Sequence, residues 1–132
     1  MGQKYLLDSN VIIDYMAGNF DESTNMSIHK IINNDFYISF ISQIEIFVYN
    51  LSQDEAKQFE DFISLSNIIL ININIIDLTI FIRKKYKLKI PDAIIAATCI
   101  SQNLTLISNN DKDFQKVVEL KYKNPFREQI GL

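Results

Sequence analysis

Three short apolar runs constrain this chain more than any other feature: Tyr5-Leu6-Leu7, Ile68-Ile69-Leu70-Ile71 and Thr105-Leu106-Ile107. Each is too short for a helix and lacks the apolar–polar alternation of a strand with one wet face. Continuous runs of this kind mark strands buried on both sides. Phe36 to Phe40 adds a fourth stretch of strand composition. Between the runs lie segments with helical spacing. Short strands alternating with helices predict an α/β fold, a three-layer α/β/α sandwich with a mostly parallel central sheet.

The segments between can be read one by one. Asp8-Ser9-Asn10 is turn and N-cap chemistry, leading into a helix through Val11, Ile12, Tyr15 and Met16 that ends near Gly18. Asp21 to Asn25 reads as a loop, and Ile28, Ile31 and Ile32 share one face of a second helix. Ser42 fits the N-cap of a helix carrying Glu45, with Ile44, Phe47, Val48 and Leu51 toward the core. Ser52 and Glu55 form a capping-box pattern before a helix presenting Phe59, Phe62 and Ile63. Asn74 is placed to cap a helix reaching about Tyr86, and Pro91 to open one running from Asp92 to Gln102. Ser108 to Asp113 reads as a polar turn, and Val117 to Leu120 as a short edge strand.

A length of 132 residues suits a single domain spanning 1–132, and 48% hydrophobic residues supply a core without a disulfide or metal staple. The net charge of −3 excludes binding to nucleic acid through a broad basic face. Cys99 and His29 are the only residues of their kinds, so a thiolate site and His-based zinc chemistry both lack material. Any metal must be held by oxygens, which selects a hard cation such as Mg²⁺ or Mn²⁺. The apolar region from Phe62 to Ile82 is broken by Asn67, Asn72, Asn74 and Asp77, residues costly in hydrocarbon. No membrane association and a cytoplasmic location are the expectations.

In open parallel sheets, ligands bind outside the carboxyl ends of the strands. Asp8 follows the first apolar run, and Glu45 lies in the first turns of the helix after Phe40. Asp92 follows Pro91 at a helix start, and Asp111 follows the last apolar run. Each has a structural explanation of its own: capping for Asp8, helix-dipole complementation for Asp92, turn preference for Asp111 and Asp113. Glu45 is the exception, because a carboxylate among Ile44, Ile46, Phe47 and Val48 is unusual unless paired or liganded. All four acids would meet at one sheet edge. Two carboxylates at about 4 Å repel by roughly 4 kcal/mol at an effective dielectric near 20. A bound divalent cation reverses that sign, polarises a phosphoryl oxygen and acidifies a bound water. The reaction this points to is hydrolysis of a phosphodiester by metal-activated water, with no histidine base required.

Four segments stand out together: Tyr5-Leu6-Leu7-Asp8-Ser9-Asn10-Val11-Ile12-Ile13, Ile41-Ser42-Gln43-Ile44-Glu45, Ile90-Pro91-Asp92-Ala93-Ile94-Ile95-Ala96-Ala97, and Thr105-Leu106-Ile107-Ser108-Asn109-Asn110-Asp111-Lys112-Asp113-Phe114. In them the chain resembles the PIN domain family, and within it the VapC-type ribonuclease toxins of type II toxin–antitoxin pairs. They occur in the family's order over nearly the whole chain, and the Pro91 segment is the most specific. The resemblance implies a Mg²⁺- or Mn²⁺-dependent endoribonuclease in which Asp8, Glu45 and Asp92 take the positions of the three central acids. Asp111 matches the first acid of the Asp-x-Asp-Phe form of the last motif, whereas some relatives offer only the residue aligned with Asp113. Asn10 matches the family's supporting polar residue; Ser9 and Ser108 stand where threonine is usual, and both keep the hydroxyl. The resemblance also implies an RNA substrate, tRNA among the candidates, a cognate antitoxin and a homodimer.

The basic run Arg83, Lys84, Lys85 and Lys87, with Lys89, leads directly into Asp92 and is a candidate for RNA phosphate contact. Lysines also gather at helix C-termini for dipole reasons alone. Lys121, Lys123 and Arg127 form a looser second basic group. Two rivals remain for comparison. A Mg²⁺-dependent phosphatase of another α/β fold wants Asp-x-Asp after its first strand, where this chain has Asp8-Ser9-Asn10. A non-catalytic interaction module on the PIN fold would have no need to keep the acids.

Overall fold

The apolar runs resolve into a five-stranded, wholly parallel sheet in a computed structural model that describes residues 2–128 and Ile130. The strands are β1 (Tyr5–Leu7), β2 (Phe36–Ser39), β3 (Asn67–Ile69), β4 (Thr105–Ile107) and β5 (Tyr122–Lys123), in the order β3-β2-β1-β4-β5. β1 lies at the centre, with Tyr5 opposite both Phe36 and Thr105.

Alternation along the strands divides the core between the two faces. Tyr5, Leu7, Phe36, Ile38 and Ile107 pack with helices α1 (Ser9–Ala17), α2 (Glu22–Asn33), α3 (Phe40–Phe47) and α4 (Gln53–Ser64). Leu6 and Leu106 point the other way, into a cluster built on α5 (Ile73–Tyr86), α6 (Ile90–Gln102) and the short α7 (Asp111–Phe114). Helices on both faces of a parallel sheet give the three-layer α/β/α architecture that the sequence predicts.

Several boundaries differ from the sequence expectation, each for a local reason. The expected loop from Asp21 is the start of α2, because Asp21 Oδ1 accepts the Thr24 amide at 2.8 Å and caps it. Ser39, not Ser42, caps α3, and Ser42 is buried inside that helix. Ile46 turns to the core instead, leaving Ile44 and Val48 exposed. The capping box on α4 is present as expected, whereas α5 is capped by Asn72 rather than Asn74. α6 begins at Ile90, one residue ahead of Pro91.

The continuous run from Ile68 to Ile71 is not a doubly buried strand. β3 is an edge strand, and Leu70 is 69% exposed. The polar turn after β4 contains α7, and Val117 to Leu120 is not a strand. There the amides of Val117 and Leu120 bond to carbonyls three residues back, at 3.2 Å each, so the chain turns and buries Val117 and Leu120 while Val118 faces outward. The last strand comes two residues later, pairing Tyr122 with Leu106. The apolar stretch that invited a membrane reading is divided among α4, β3 and α5. No helix among the described residues is long and apolar enough to cross a membrane.

Candidate active site

The carboxyl ends of β1 and β4 lie side by side, with the Asp8 amide donating to the Ile107 carbonyl at 3.0 Å. This brings Asp8 next to Ser108. Asp8 is only 4% exposed. Its carboxylate accepts from the Ser9 amide at 2.9 Å, Asn10 Nδ2 at 3.1 Å and Ser108 Oγ at 2.8 Å. Burial outweighs these three donors and, with the charge of Glu45 adding to it, lifts the Asp8 pKa to about 6.

Glu45 reaches the same edge from α3. Its Oε1 accepts from Ser9 Oγ at 3.0 Å, so the residue after Asp8 holds the second acid in place. Asp92, in the first turn of α6, is pushed up to about 7, first by burial, then by a hydrogen bond to Asp113 and the charges of Asp113, Asp8 and Glu45. Asp113 moves the other way: Asn110 Nδ2 donates to it at 3.0 Å and lowers its pKa, as do the hydrogen bond with Asp92 and the charges of Lys116 and Lys112. The structure thus brings Asp8, Glu45, Asp92 and Asp113 into electrostatic contact.

Asp111 is engaged elsewhere. Arg127, Tyr122 and Asn124 all donate to its carboxylate, which is held down at about 2 chiefly by the Arg127 hydrogen bonds. Ser108 and Asn10, expected as supports, form a hub: Asn10 Nδ2 and the Asn110 amide both donate to Ser108 Oγ at 3.1 Å, while that hydroxyl donates to Asp8. A single hydrogen-bonded path runs Asp8–Ser108–Asn110–Asp113.

Of the basic run, Arg83, Lys84 and Lys85 occupy the last turn of α5, Lys87 is its left-handed C-cap and Lys89 precedes α6. Lys85 is already committed: it bonds Glu119 at 3.1 Å and lies over the Phe81 and Tyr86 rings. From the second basic group, Lys121 bonds Asn103 and Arg127 bonds Asp111. Lys112 and Lys116, which no sequence argument singled out, lie close enough to Asp113 to help lower its pKa. Asn110 was also missed, although Asn-x-x-Asp is a readable capping pattern. Tyr122 and Asn124 carry no local signal and join the site only through tertiary contact.

The donor chemistry suits a hard cation: four carboxylates, the pKa values of Asp8 and Asp92 raised first by burial and then by the neighbouring acids. As they stand, no three acids among the described residues are close enough to hold an ion. One proton between Asp92 and Asp113 relieves part of the repulsion that a cation would relieve. A further unpaired group lies nearby in sequence. Ser42, one turn before Glu45 on the same face of α3, is fully buried and its Oγ has no hydrogen-bond partner among the described residues.

The sequence model of the PIN domain matches residues 5–120. No curated protein matches the chain. Solved structures do. A toxin–antitoxin complex from Klebsiella pneumoniae is 29% identical, with a TM-score of 0.77 over 96% of this chain and 99% of that one. VapBC2 from Rickettsia felis, bound to a DNA fragment from its promoter, is 21% identical with a TM-score of 0.78, covering 92% and 98%. DNA-bound VapBC from Salmonella typhimurium is 20% identical with a TM-score of 0.79, covering 94% and 99%. With the match spanning almost all of both sheet and helices, the chain belongs to the PIN domain family.

Proposed function

We propose that this chain is a metal-dependent endoribonuclease and the toxin of a toxin–antitoxin pair, acting in the cytoplasm. The observation that carries the reading is the convergence of Asp8, Glu45, Asp92 and Asp113 at the carboxyl edge of a PIN-family sheet. These four would hold Mg²⁺ or Mn²⁺, with Asp113 rather than Asp111 as the fourth acid. When bound, the cation supplies charge neutralisation and Lewis acidity toward a phosphoryl oxygen.

The chain's own residues prepare the site. Ser9 orients Glu45, Asn10 and Ser108 orient Asp8, and Asn110 orients Asp113. The Asp92 pKa is raised to about 7, so cation binding there is expected to displace a proton. Lys112 and Lys116, whose charges reach Asp113, and Lys89, which precedes the helix of Asp92, are the candidates for phosphate contact with a single RNA strand.

Two protein partners complete the reading. A cognate antitoxin is supported by the toxin–antitoxin complexes among the similar structures. A homodimer is supported by one stripe of α5, where Ile76 and Ile80 are exposed beside Asp77, Arg83 and Lys84. Antiparallel pairing about Ile80 sets Asp77 of one copy against Arg83 of the other, a self-complementary arrangement.

The test compares substrates. With Mg²⁺, the chain is expected to cut single-stranded RNA and leave a phosphomonoester untouched. Turnover of the phosphomonoester without RNA cleavage would replace the nuclease by a phosphatase.

A further inference from the structure

Asp111 and Asp113 stand one residue apart in α7, yet only Asp113 faces the other acids. Both oxygens of Asp111 are occupied. Arg127 Nη2 donates to Oδ1 at 2.9 Å and Arg127 Nε to Oδ2 at 3.3 Å. Tyr122 Oη donates to Oδ1 at 2.6 Å and Asn124 Nδ2 to the same oxygen at 3.2 Å. A guanidinium that engages both oxygens fixes orientation as well as distance. All of these donors come from β5 and the turn after it.

The other end of α7 is held by packing. Phe114 is fully buried and its ring meets that of Tyr122 at 5.9 Å between centroids. Tyr122 Oη also lies 3.0 Å from the Ser108 carbonyl, at the start of the turn that leads into α7. A helix of four residues cannot set its own position, because one turn fixes more dihedral angles than its hydrogen bonds repay. Its placement has to be imposed from outside.

We propose that Asp111 is a positioning residue: the clasp of Arg127, Tyr122 and Asn124 on its carboxylate fixes α7, and α7 sets Asp113 against Asp92. The inference rests on the nuclease reading above. It makes β5, a two-residue strand at the sheet edge, part of the support of the site. It also gives Asp111 a different duty from a ligand, since ligation would require it to leave four hydrogen bonds.

The test uses the full chain, Mn²⁺ and a single-stranded RNA, at a temperature where circular dichroism shows every variant folded. Asp111→Asn and Arg127→Ala are each expected to lower kcat about 10-fold with KM within about twofold. Because Asp111 acts through Asp113, the double variant Asp111→Asn/Asp113→Asn is expected to be no slower than Asp113→Asn alone. Independently of activity, hydrogen exchange at the amides of Asp113, Phe114 and Gln115 is expected to quicken about 10-fold in Asp111→Asn and Arg127→Ala, and not in Asp113→Asn. Losses that multiply in the double variant, or α7 amides indifferent to loss of the clasp, would overturn the proposal. If instead Asp8→Asn and Asp92→Asn leave cleavage intact, the nuclease reading fails, and the exchange experiment still decides the clasp.

Discussion

The two ends of α7 make a natural pair for comparison. At its start, Asp111 has four hydrogen bonds, two of them from one guanidinium, and its carboxyl is held down at about 2. At Asp113, the neighbouring acid is Asp92, its pKa raised to about 7 by burial and by the surrounding carboxylates. One acid is fully compensated by the chain; the other belongs to a group that the chain leaves short of positive charge. Both pKa values are lowered, Asp111 by the guanidinium it pairs with and Asp113 by Asn110, so what separates the two is the neighbour: a cation for one, the carboxyl of Asp92 for the other. That neighbour, and not local sequence, distinguishes the two aspartates.

The largest expected effect lies on the uncompensated side. Asp8→Asn should lower RNA cleavage by about 10³-fold while the circular dichroism spectrum stays unchanged, since the amide keeps the shape and loses the charge. A loss below tenfold would place Asp8 with Asp111 as a structural acid.

Stability against pH should then split the pair by sign. Asp8 rises from 3.8 to about 6 on folding, so the native state holds the extra proton between those values. Without divalent cation, stability should therefore fall as pH rises from about 4 through 6, and that fall should be absent from Asp8→Asn. Asp111 is depressed, so its contribution is present above the ordinary aspartate pKa and is lost as pH falls through about 2. Denaturant melts from pH 2 to 8 check both arms. Mn²⁺ should raise the melting temperature more at pH 7 than at pH 5, because fewer protons then compete for the site.

Ser42 extends the contrast to a hydroxyl. Its Oγ is buried without a partner, so Ser42→Ala should stabilise the fold by about 1 kcal/mol, read from the denaturation midpoint. A loss of stability would show that the hydroxyl is satisfied in solution. The smallest effect separates two lysines. Lys116→Ala should weaken RNA binding about threefold and flatten its salt dependence by roughly one unit of slope, while Lys85→Ala, whose ammonium already pairs with Glu119, should leave binding unchanged. Filter binding at several salt concentrations reads both.

These contrasts also explain what could be read from the sequence. Tyr5-Leu6-Leu7-Asp8 is legible because strand, cap and acid are contiguous, and Pro91-Asp92-Ala93 because a proline opens a helix by a local rule. Ser39 and Ser42 obey the same capping rule equally well. The choice falls to the sheet, where Ser39 is drawn into register with Ile69 and the helix can begin only after it. The run Ile68 to Ile71 has the composition of a central strand, but its neighbours place it at an edge, and no local pattern carries strand order. Asp111 and Asp113 are the sharpest case. What distinguishes them is donated from Tyr122, Asn124 and Arg127, at sequence distances where spacing says nothing.

The central claim is that Asp8, Glu45, Asp92 and Asp113 form a cation site that cuts RNA. Its most direct test follows cleavage of a single-stranded RNA by the purified chain, after EDTA and after Mn²⁺ is returned, beside Asp92→Asn under the same conditions. The account predicts that cleavage stops in EDTA, returns with Mn²⁺ and is absent from Asp92→Asn throughout. Undiminished cleavage in EDTA, or an active Asp92→Asn, would contradict it.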